Sequence, residues 1–364
     1  MNLIWIFLPI ILTLGAITSY EDIKQGKIRN KWIIIAISAS IIIHFILYTQ
    51  QIININYIGK IILFTTLSII IGFTLYLLGM WSPGDAKLFA AYTSIIPLAT
   101  YTNTNSEFLP LNLFSNTLTP IMIFLFIWLI IKTNFELKKE ILKKVFEPKN
   151  ILTYFLTVFS ISWIIQIILS YFAIKSNFLF NILAIALIAA TIKKIYPYEM
   201  NYLLLVISIL RIFLNKEMII SVTFIKSFFI LTTGYMIILF IIKELDLLLY
   251  MQVDIGMLKK GMIPAEMIIK KGKKYEKTEI NMLIGQKIRN CIFEEIEKCK
   301  IAGMSKKDIA KIKILQKEGK IKFEHLKIKQ TIPFAPFLFF GTLLTIIFNG
   351  DIILSIAEII KNLI

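Results

Sequence analysis

Two apolar runs are joined by residues 81–91, which read Trp81-Ser82-Pro83-Gly84-Asp85-Ala86-Lys87-Leu88-Phe89-Ala90-Ala91. Pro83 and Gly84 predict the end of the preceding helix and a turn. Asp85 then falls at the start of the next helix, where the helix dipole favours a negative charge. An acid at the edge of an apolar run is a functional candidate, with helix capping as the alternative, and this stretch alone leaves both open.

The composition is typical of a polytopic membrane protein. The 364 residues are 57% hydrophobic and 17% charged, with a mean hydropathy of +0.76. The net charge of +17 indicates basic cytoplasmic loops, and no nucleic-acid-binding motif accompanies it, so a nucleic-acid partner is disfavoured. The first apolar run has no basic segment before it and no small-residue cleavage site, which favours a retained span over a removed signal peptide.

The apolar runs predict about ten transmembrane helices. The predicted fold class is therefore an all-α polytopic membrane protein with a small, mainly helical cytoplasmic domain. Two runs are short for a hydrocarbon core of about 30 Å, namely 178–192 and 199–214, so one of them is a candidate re-entrant or differently tilted segment. The ten runs lie near residues 3–20, 31–49, 57–79, 86–100, 116–132, 151–174, 178–192, 199–214, 219–242 and 332–349.

The charge of the connections predicts the orientation of the chain. Lys and Arg collect in loops 21–31, 133–150 and 193–198, whereas the alternate connections 50–56 and 101–115 contain neither. Positive residues mark the cytoplasmic side of a membrane protein. The basic loops are therefore predicted to face the cytoplasm, and the N-terminus is predicted to lie outside.

This orientation places two acids on one membrane face. Asp22 follows the first predicted span and Asp85 precedes the fourth, with two crossings between them. The turn at 80–85 and the polar segment 243–331 fall on the same, basic face. Asp22 and Asp85 can therefore meet at the cytoplasmic edge of the membrane.

Four regions follow from this organisation. Residues 1–132 form the membrane core that carries both acids, and 133–242 add further transmembrane helices. Residues 243–331 form a basic cytoplasmic domain, and 332–364 form a C-terminal transmembrane helix and tail.

Within the basic domain, Ser305 and Asp308 form the sequence pattern of a helix capping box. Apolar residues then alternate with Lys and Glu over 321–328, which is compatible with a strand or with an amphipathic surface segment. The excess of Lys suits anionic lipid headgroups, and a solvated basic face is the alternative.

Two carboxylates that face each other can share one proton, because like charges close together do not both ionise easily. The ionised member can act as a general base on water, while the protonated member hydrogen-bonds the carbonyl of a peptide bond. A low dielectric at the membrane edge strengthens the coupling. Asp22 and Asp85 are therefore candidates for hydrolysing a peptide bond without a metal or a covalent intermediate.

The segment after the first span resembles the first motif of type IV prepilin peptidases, in which an Asp, a basic stretch and an Asn lead into the second helix. It reads Asp22-Ile23-Lys24-Gln25-Gly26-Lys27-Ile28-Arg29-Asn30. Ser82-Pro83-Gly84-Asp85 is similar to the second motif of that family, Gly-x-Gly-Asp, with Ser82 in place of the first glycine. This resemblance covers roughly residues 3–100.

The resemblance implies that Asp22 and Asp85 are the catalytic pair. Gly84, Lys87 and Asn30 support the two motifs. Lys87 has three interpretations: it neutralises the pair in part, contacts the peptide, or only extends its ammonium to the membrane surface.

Residues 303–321 and 332–337 are similar to the C-terminal part of the archaeal branch of this family. The extra apolar runs between 116 and 242 favour the larger euryarchaeal pilin-processing members. Bacterial bifunctional members carry a four-cysteine zinc domain with N-methyltransferase activity, whereas this chain has only Cys291 and Cys299. We therefore expect no methylation, no metal site and no cofactor, with both cysteines as free thiols.

The resemblance implies an aspartic endopeptidase of the plasma membrane that removes the short basic leader peptide from type IV pilin-like precursors at the cytoplasmic face. The implied partners are prepilin or preflagellin-like precursors and the lipid bilayer. Two alternatives stay open: a non-enzymatic polytopic protein of pilus assembly or transport, and an intramembrane protease of the presenilin type, whose acids lie deep within spans. The choice between pilin and archaellin precursors and the oligomeric state are also open.

Overall fold

The computed structural model describes residues 3–77, 80–100, 108–133, 135–171, 176–196, 198–271, 274–279, 304–321, 323–329 and 332–363. Within them, seven helical segments are long and apolar enough to cross a membrane: Ile4–Gln25, Asn30–Thr49, Ile55–Tyr76, Leu109–Lys132, Pro148–Tyr171, Val222–Lys243 and Ala335–Ile356. The last of these is interrupted by a turn at 348–351. Phe178–Lys193 and Met200–Leu214 are shorter apolar helices. The run at 86–100 forms the short helix Pro83–Ile95. The helical polytopic class is confirmed, with seven full-length candidates where the apolar runs predicted about ten.

The helices of the first region are α1 (Ile4–Gln25), α2 (Asn30–Thr49), α3 (Ile55–Leu77), α4 (Pro83–Ile95) and α5 (Leu109–Lys132). The second region contains α6 (Phe135–Val145), α7 (Pro148–Tyr171), α8 (Phe178–Ile195), α9 (Met200–Leu214), α10 (Lys216–Ile220) and α11 (Val222–Leu249). The helices that follow are α12 (Lys306–Lys317), α13 (Ala335–Ile347) and α14 (Ile352–Leu363).

Helix α4 is the buried centre of the first group of helices. All of its residues from Ala86 to Ile95 are buried except Lys87, and α1, α2, α3, α5 and α13 surround it. Gly72 of α3 permits a close approach, because a Cβ at this position would lie 2.9 Å from the Cα of Ala86. Small residues at such contacts are the usual way that membrane helices pack. This packing fixes the start of α4, where Asp85 lies.

Helix α13 lies against α1 and α5. Gly341 allows the contact with α5, since a Cβ there would lie 2.6 Å from the Cα of Thr117. Gly15 of α1 accommodates the ring of Phe339 in the same way. As a result, the first turn of α13 reaches the last turn of α1.

A second group of helices has its own core. Helices α7, α8, α9 and α11 pack against one another. Buried Val158, Ile161, Ile182, Ile185 and Leu204 form the centre of this group. This second group lies beside the first. The helices around Asp22 and Asp85 belong to the first group, α1–α5, and to α13.

In the described part of residues 250–329, strands outnumber helices, whereas the sequence predicted a mainly helical polar domain. The described part contains β1 (Tyr250–Asp254), β2 (Ile263–Pro264), β3 (Glu266–Lys271), β4 (Lys274–Glu279) and β5 (His325–Lys329), besides the one helix α12. Strand β5 pairs antiparallel with β1 and β2, and β3 pairs with β4. In β5, Leu326 and Ile328 are buried and the intervening Lys327 is not, which is the alternation of a strand. Of the two alternatives for 321–328, a strand or an amphipathic surface segment, the structure has the strand.

The capping box itself is confirmed at the start of α12. The Asp308 N–H donates to Ser305 Oγ at 3.2 Å, and the Ser305 N–H donates to Asp308 Oδ2 at 2.6 Å. Ile309 and Ile312 of α12 then pack against the sheet. Cys291 and Cys299 lie outside the described residues, so the structure says nothing of them.

Candidate active site

Asp22 lies in the last turn of α1 and contacts the beginning of α13. The backbone N–H of Ala335 donates to Asp22 Oδ2 at 2.9 Å, across 313 residues of chain. Gly26 ends α1 in the left-handed conformation, with φ of 59°, and its N–H donates to the Asp22 carbonyl at 2.8 Å. A helix N-terminus favours a carboxylate beside it. The buried Asp22 side chain is thus held by the helix that follows the polar domain.

Asp85 is the third residue of α4 and does cap that helix. The Ser82 N–H donates to Asp85 Oδ2 at 2.8 Å, and the Asp85 N–H donates to Ser82 Oγ at 3.2 Å. Among the described residues, this leaves Asp85 Oδ1 without a protein hydrogen bond. Capping and a functional role were alternatives for Asp85 in the sequence. The geometry makes them compatible, because one oxygen caps the helix while the other stays free.

The two motifs pack directly against each other. Gly84 lies beside Ile28, and a Cβ on Gly84 would be 3.2 Å from the Ile28 Cβ. Lys87 Nζ donates to Asn30 Oδ1 at 3.2 Å. The three residues assigned supporting places in the motifs therefore join the start of α4 to the start of α2. No interaction between Lys87 and either carboxylate was found among the described residues.

Glu21 fixes the turn between α1 and α2. Its carboxylate accepts the Arg29 N–H at 3.2 Å and the Trp32 indole N–H at 3.0 Å, and it lies 3.4 Å from Arg29 Nε. Glu21 is 6% exposed, and these contacts supply the hydrogen bonds that its buried carboxylate needs. Its position next to Asp22 was the only sequence signal for this role.

Trp81 connects the second motif to the C-terminal helix. Its ring lies 5.3 Å from Phe89, 6.1 Å from Phe114 and 5.1 Å from Phe334, measured between centroids. Phe334 immediately precedes α13, whose first N–H contacts Asp22. This buried aromatic cluster therefore helps to set the position of Asp85 relative to Asp22. Sequence reasoning missed it, because aromatic residues at such spacing are common in any apolar core.

The electrostatics of Asp85 suit a protonated acid. Asp85 lies outside the seven candidate spans and is 5% exposed. The pKa of its carboxyl is raised to about 6, mainly by burial; the hydrogen bonds from Ser82 lower it, and the nearby charge of Asp22 adds a smaller increase. The two carboxyl groups are thus close enough for one charge to affect the protonation of the other.

The other titratable candidates lie elsewhere. His44 is buried in α2, with Nδ1 2.8 Å from the Ser40 carbonyl oxygen and its ring 4.8 Å from that of Phe7, as expected for a packing histidine. His325 lies against the Asp254 carboxylate on the sheet. Within the described part of the chain, no cluster of three or more His, Cys, Asp or Glu residues is arranged to hold a metal ion.

Comparisons with known proteins agree on one family. Residues 227–328 match the family model described as Archaeal Peptidase A24 C-terminal Domain. Prepilin peptidase EppA of Methanothermobacter thermautotrophicus is 24% identical over 379 aligned positions, which cover 92% of this chain and 91% of the relative. No solved structure matches the chain. The resemblance to archaeal prepilin peptidases is confirmed, and the similarity to this peptidase covers most of the chain.

Proposed function

We propose that this chain, as a relative of archaeal prepilin peptidases, is a membrane-embedded aspartic endopeptidase that removes short basic leader peptides from type IV pilin-like precursors. The observation that carries the proposal is that the buried carboxyl groups of Asp22 and Asp85 lie at adjoining helix ends, each held by backbone hydrogen bonds. Asp85, with its raised pKa, is the proton donor to the scissile carbonyl. Asp22 is the general base that activates water.

The location of the pair supports cleavage at the membrane edge. Asp22 is three residues from the end of α1, and Asp85 is in the first turn of α4. Such positions favour a leader-peptide site at the surface over a presenilin-type site deep within spans. The basic residues on this side place it at the cytoplasmic face in our proposal. A coupled acid pair also favours an enzyme over a transport or assembly protein.

The direct test is cleavage of a leader-bearing pilin precursor by membranes that contain this protein. We expect a product shortened by the leader, with its new N-terminus just before the hydrophobic helix, as read by mass spectrometry. Membranes with equal amounts of the Asp22→Asn, Asp85→Asn double variant should leave the precursor intact. Equal cleavage by both membranes would reject the proposed peptidase.

The pH dependence of cleavage should reflect the protonation states of Asp22 and Asp85. The acid form of Asp85 is lost as the pH rises through its raised pKa of about 6, and the base form of Asp22 is lost in acid. We therefore expect a bell-shaped profile of kcat/KM whose apparent pKa values belong to the pair. A flat profile between about pH 4 and 9 would contradict shared-proton chemistry.

Ser82→Gly should move the alkaline side of this profile to higher pH. The Ser82 side chain lowers the Asp85 pKa, so its removal lets the protonated acid persist to higher pH. Glycine also restores the first residue of the family motif, and as a cap it weakens the helix by only a few tenths of a kcal/mol. The measurement is the profile of both proteins in the same detergent. A shift to lower pH would contradict the assignment of Asp85 as the acid.

Cleavage should survive chelators and thiol reagents. The proposed reaction uses two carboxyl groups and water, and the described residues offer no metal cluster. We expect the rate in EDTA or N-ethylmaleimide to stay within about twofold of the untreated rate, where a catalytic zinc or thiolate would lose nearly all of it. Loss of activity with EDTA that zinc restores would indicate a metallopeptidase instead.

A further inference from the structure

Helix α6 joins the ends of two candidate spans, α5 and α7. Residues 133–134 connect it to α5, and residues 146–147 connect it to α7. Lys138 Nζ donates to the Ile130 carbonyl at 3.0 Å, which attaches α6 to the last turn of α5. Because both connections are short and both neighbours are apolar enough to cross a membrane, α6 is held near the membrane surface.

One face of α6 is buried against the second group of helices. Ile141 and Val145 are 3% and 0% exposed and pack with Met236 of α11, and Phe240 borders this cluster. Met236 and Phe240 lie seven and three residues before the end of the candidate span Val222–Lys243, so the contact is about 5–10 Å inside that end. This is the depth at which helices that lie in the membrane interface bury their apolar side.

A second face of α6 is apolar and exposed. Phe135, Leu142 and Phe146 are 77%, 42% and 55% exposed. Successive spacings of seven and four residues place them within about 40° of one another around the helix axis. Phe146 directly follows α6, and its N–H still donates to the Leu142 carbonyl at 2.9 Å, so the helical turn continues through it. We call these three side chains the apolar stripe. Exposed apolar surfaces of this kind mark contacts with a protein or a membrane.

The charge beside the apolar stripe favours one partner. Lys139 and Lys143 are exposed and lie about 40° and 80° around the axis from Phe135, on the side away from the buried face. Helix α6 as a whole has four lysines and two glutamates. Its positive charge attracts anionic lipid headgroups and would repel the basic leader peptide of the proposed substrate. One face on protein, one apolar and one basic is the pattern of a helix that lies in the plane of the membrane interface.

We propose that α6 binds the anionic surface of the lipid bilayer. The apolar stripe lies toward the acyl chains, and Lys139 and Lys143 lie at the headgroup phosphates. This surface is separate from the candidate active site, and the proposal is independent of the proposed peptidase activity.

The test uses the full-length protein reconstituted into vesicles, with a bimane label on the Leu142→Cys variant. Cys291 and Cys299 are replaced by serine so that one thiol remains. Quenching by a nitroxide on a lipid acyl chain reports contact with the bilayer interior, and quenching by iodide reports contact with water. We expect the nitroxide to quench this label more strongly than iodide does. A label on Glu136→Cys, exposed on the same helix about 120° away from Leu142, should show the opposite order.

Lipid charge is tested with the same Leu142→Cys label in phosphatidylcholine vesicles with or without phosphatidylglycerol. We expect phosphatidylglycerol to shift the bimane emission by several nanometres to shorter wavelength, because the lysines draw the stripe deeper into the bilayer. Replacing both Lys139 and Lys143 by glutamine should abolish most of this shift. Lys226→Gln is the matched control, because it removes an exposed lysine from α11 ten residues before Met236 and should leave the shift unchanged.

Each outcome decides the proposal. Stronger quenching by iodide at both labelled positions would place the apolar stripe in water and overturn the proposal. A Leu142→Cys label shielded from both quenchers would mean that a second copy of the chain covers the stripe, which also overturns it. An emission that does not respond to phosphatidylglycerol, or that responds equally after both lysines are replaced, would overturn the assignment of an anionic surface as the partner.

Discussion

Replacing either Asp22 or Asp85 by asparagine is expected to reduce precursor cleavage by about 10³-fold or more, because one carboxyl group cannot serve as both base and acid. Asparagine has nearly the same shape and keeps one oxygen that can accept a hydrogen bond. In Asp22→Asn that oxygen can still accept the Ala335 N–H, and in Asp85→Asn it can still accept the Ser82 N–H. The loss should therefore appear in kcat, while the proteins still insert into the membrane.

The measurement is single-turnover cleavage of a precursor in matched amounts of detergent-purified protein. The chain provides a matched control in Asp308, which forms the same capping box with Ser305 in α12 as Asp85 forms with Ser82. Asp308→Asn should cleave at the wild-type rate. An Asp22→Asn or Asp85→Asn protein that keeps more than a tenth of wild-type turnover would remove that residue from the catalytic pair.

Gly341→Ala is expected to cause the next largest loss, through helix packing. The added Cβ would lie 2.6 Å from the Thr117 Cα and 2.7 Å from its backbone N, so α13 must move away from α5. Overpacking of this kind typically costs about 1–3 kcal/mol of stability. Since α13 begins at the N–H that holds Asp22, a shift of about 1 Å there should also lower kcat by up to about a hundredfold.

Thermal unfolding and cleavage rates of the same preparation test this expectation. Gly59→Ala is the control, because Gly59 lies in α3 with nothing within 4 Å of the added Cβ. Alanine is the better helix former by up to about 1 kcal/mol, so this variant should be as stable as the wild type or more so. If the Tm and the rate of Gly341→Ala both matched those of Gly59→Ala, the close contact of α13 with α5 would be refuted.

The helical membrane fold could be predicted from the apolar runs, because a span is encoded locally by length and composition. Every predicted run contains a helix, but burial distinguishes them: α4 is short and enclosed by neighbours, which hydropathy alone does not reveal. Of the sheet in the polar domain, only the strand near 321–328 was among the sequence-based alternatives; the other strands were missed. Frequent lysines obscured the period-two pattern, and strand pairing joins Val253 to Leu326, residues far apart in sequence.

The residues of the candidate site could be proposed from two motifs, but their surroundings could not. Pro83, Gly84 and Asp85 predict a helix start from local sequence alone. The structure has this helix start, with Asp85 in its capping box. By contrast, the contact between Ala335 and Asp22 depends on how α13 packs. No local pattern encodes it.

The hydrogen bond between Ala335 and Asp22 also determines when, during synthesis of the chain, the site can be assembled. A ribosome makes the donor of this bond 313 residues after it makes Asp22. For a peptidase built on Asp22 and Asp85, the nascent polypeptide therefore holds both acids long before the site is assembled. The site is completed only when α13 is in place. A chain that terminates early, or that loses its C-terminal helix to proteolysis, would then carry both aspartates and remain inert.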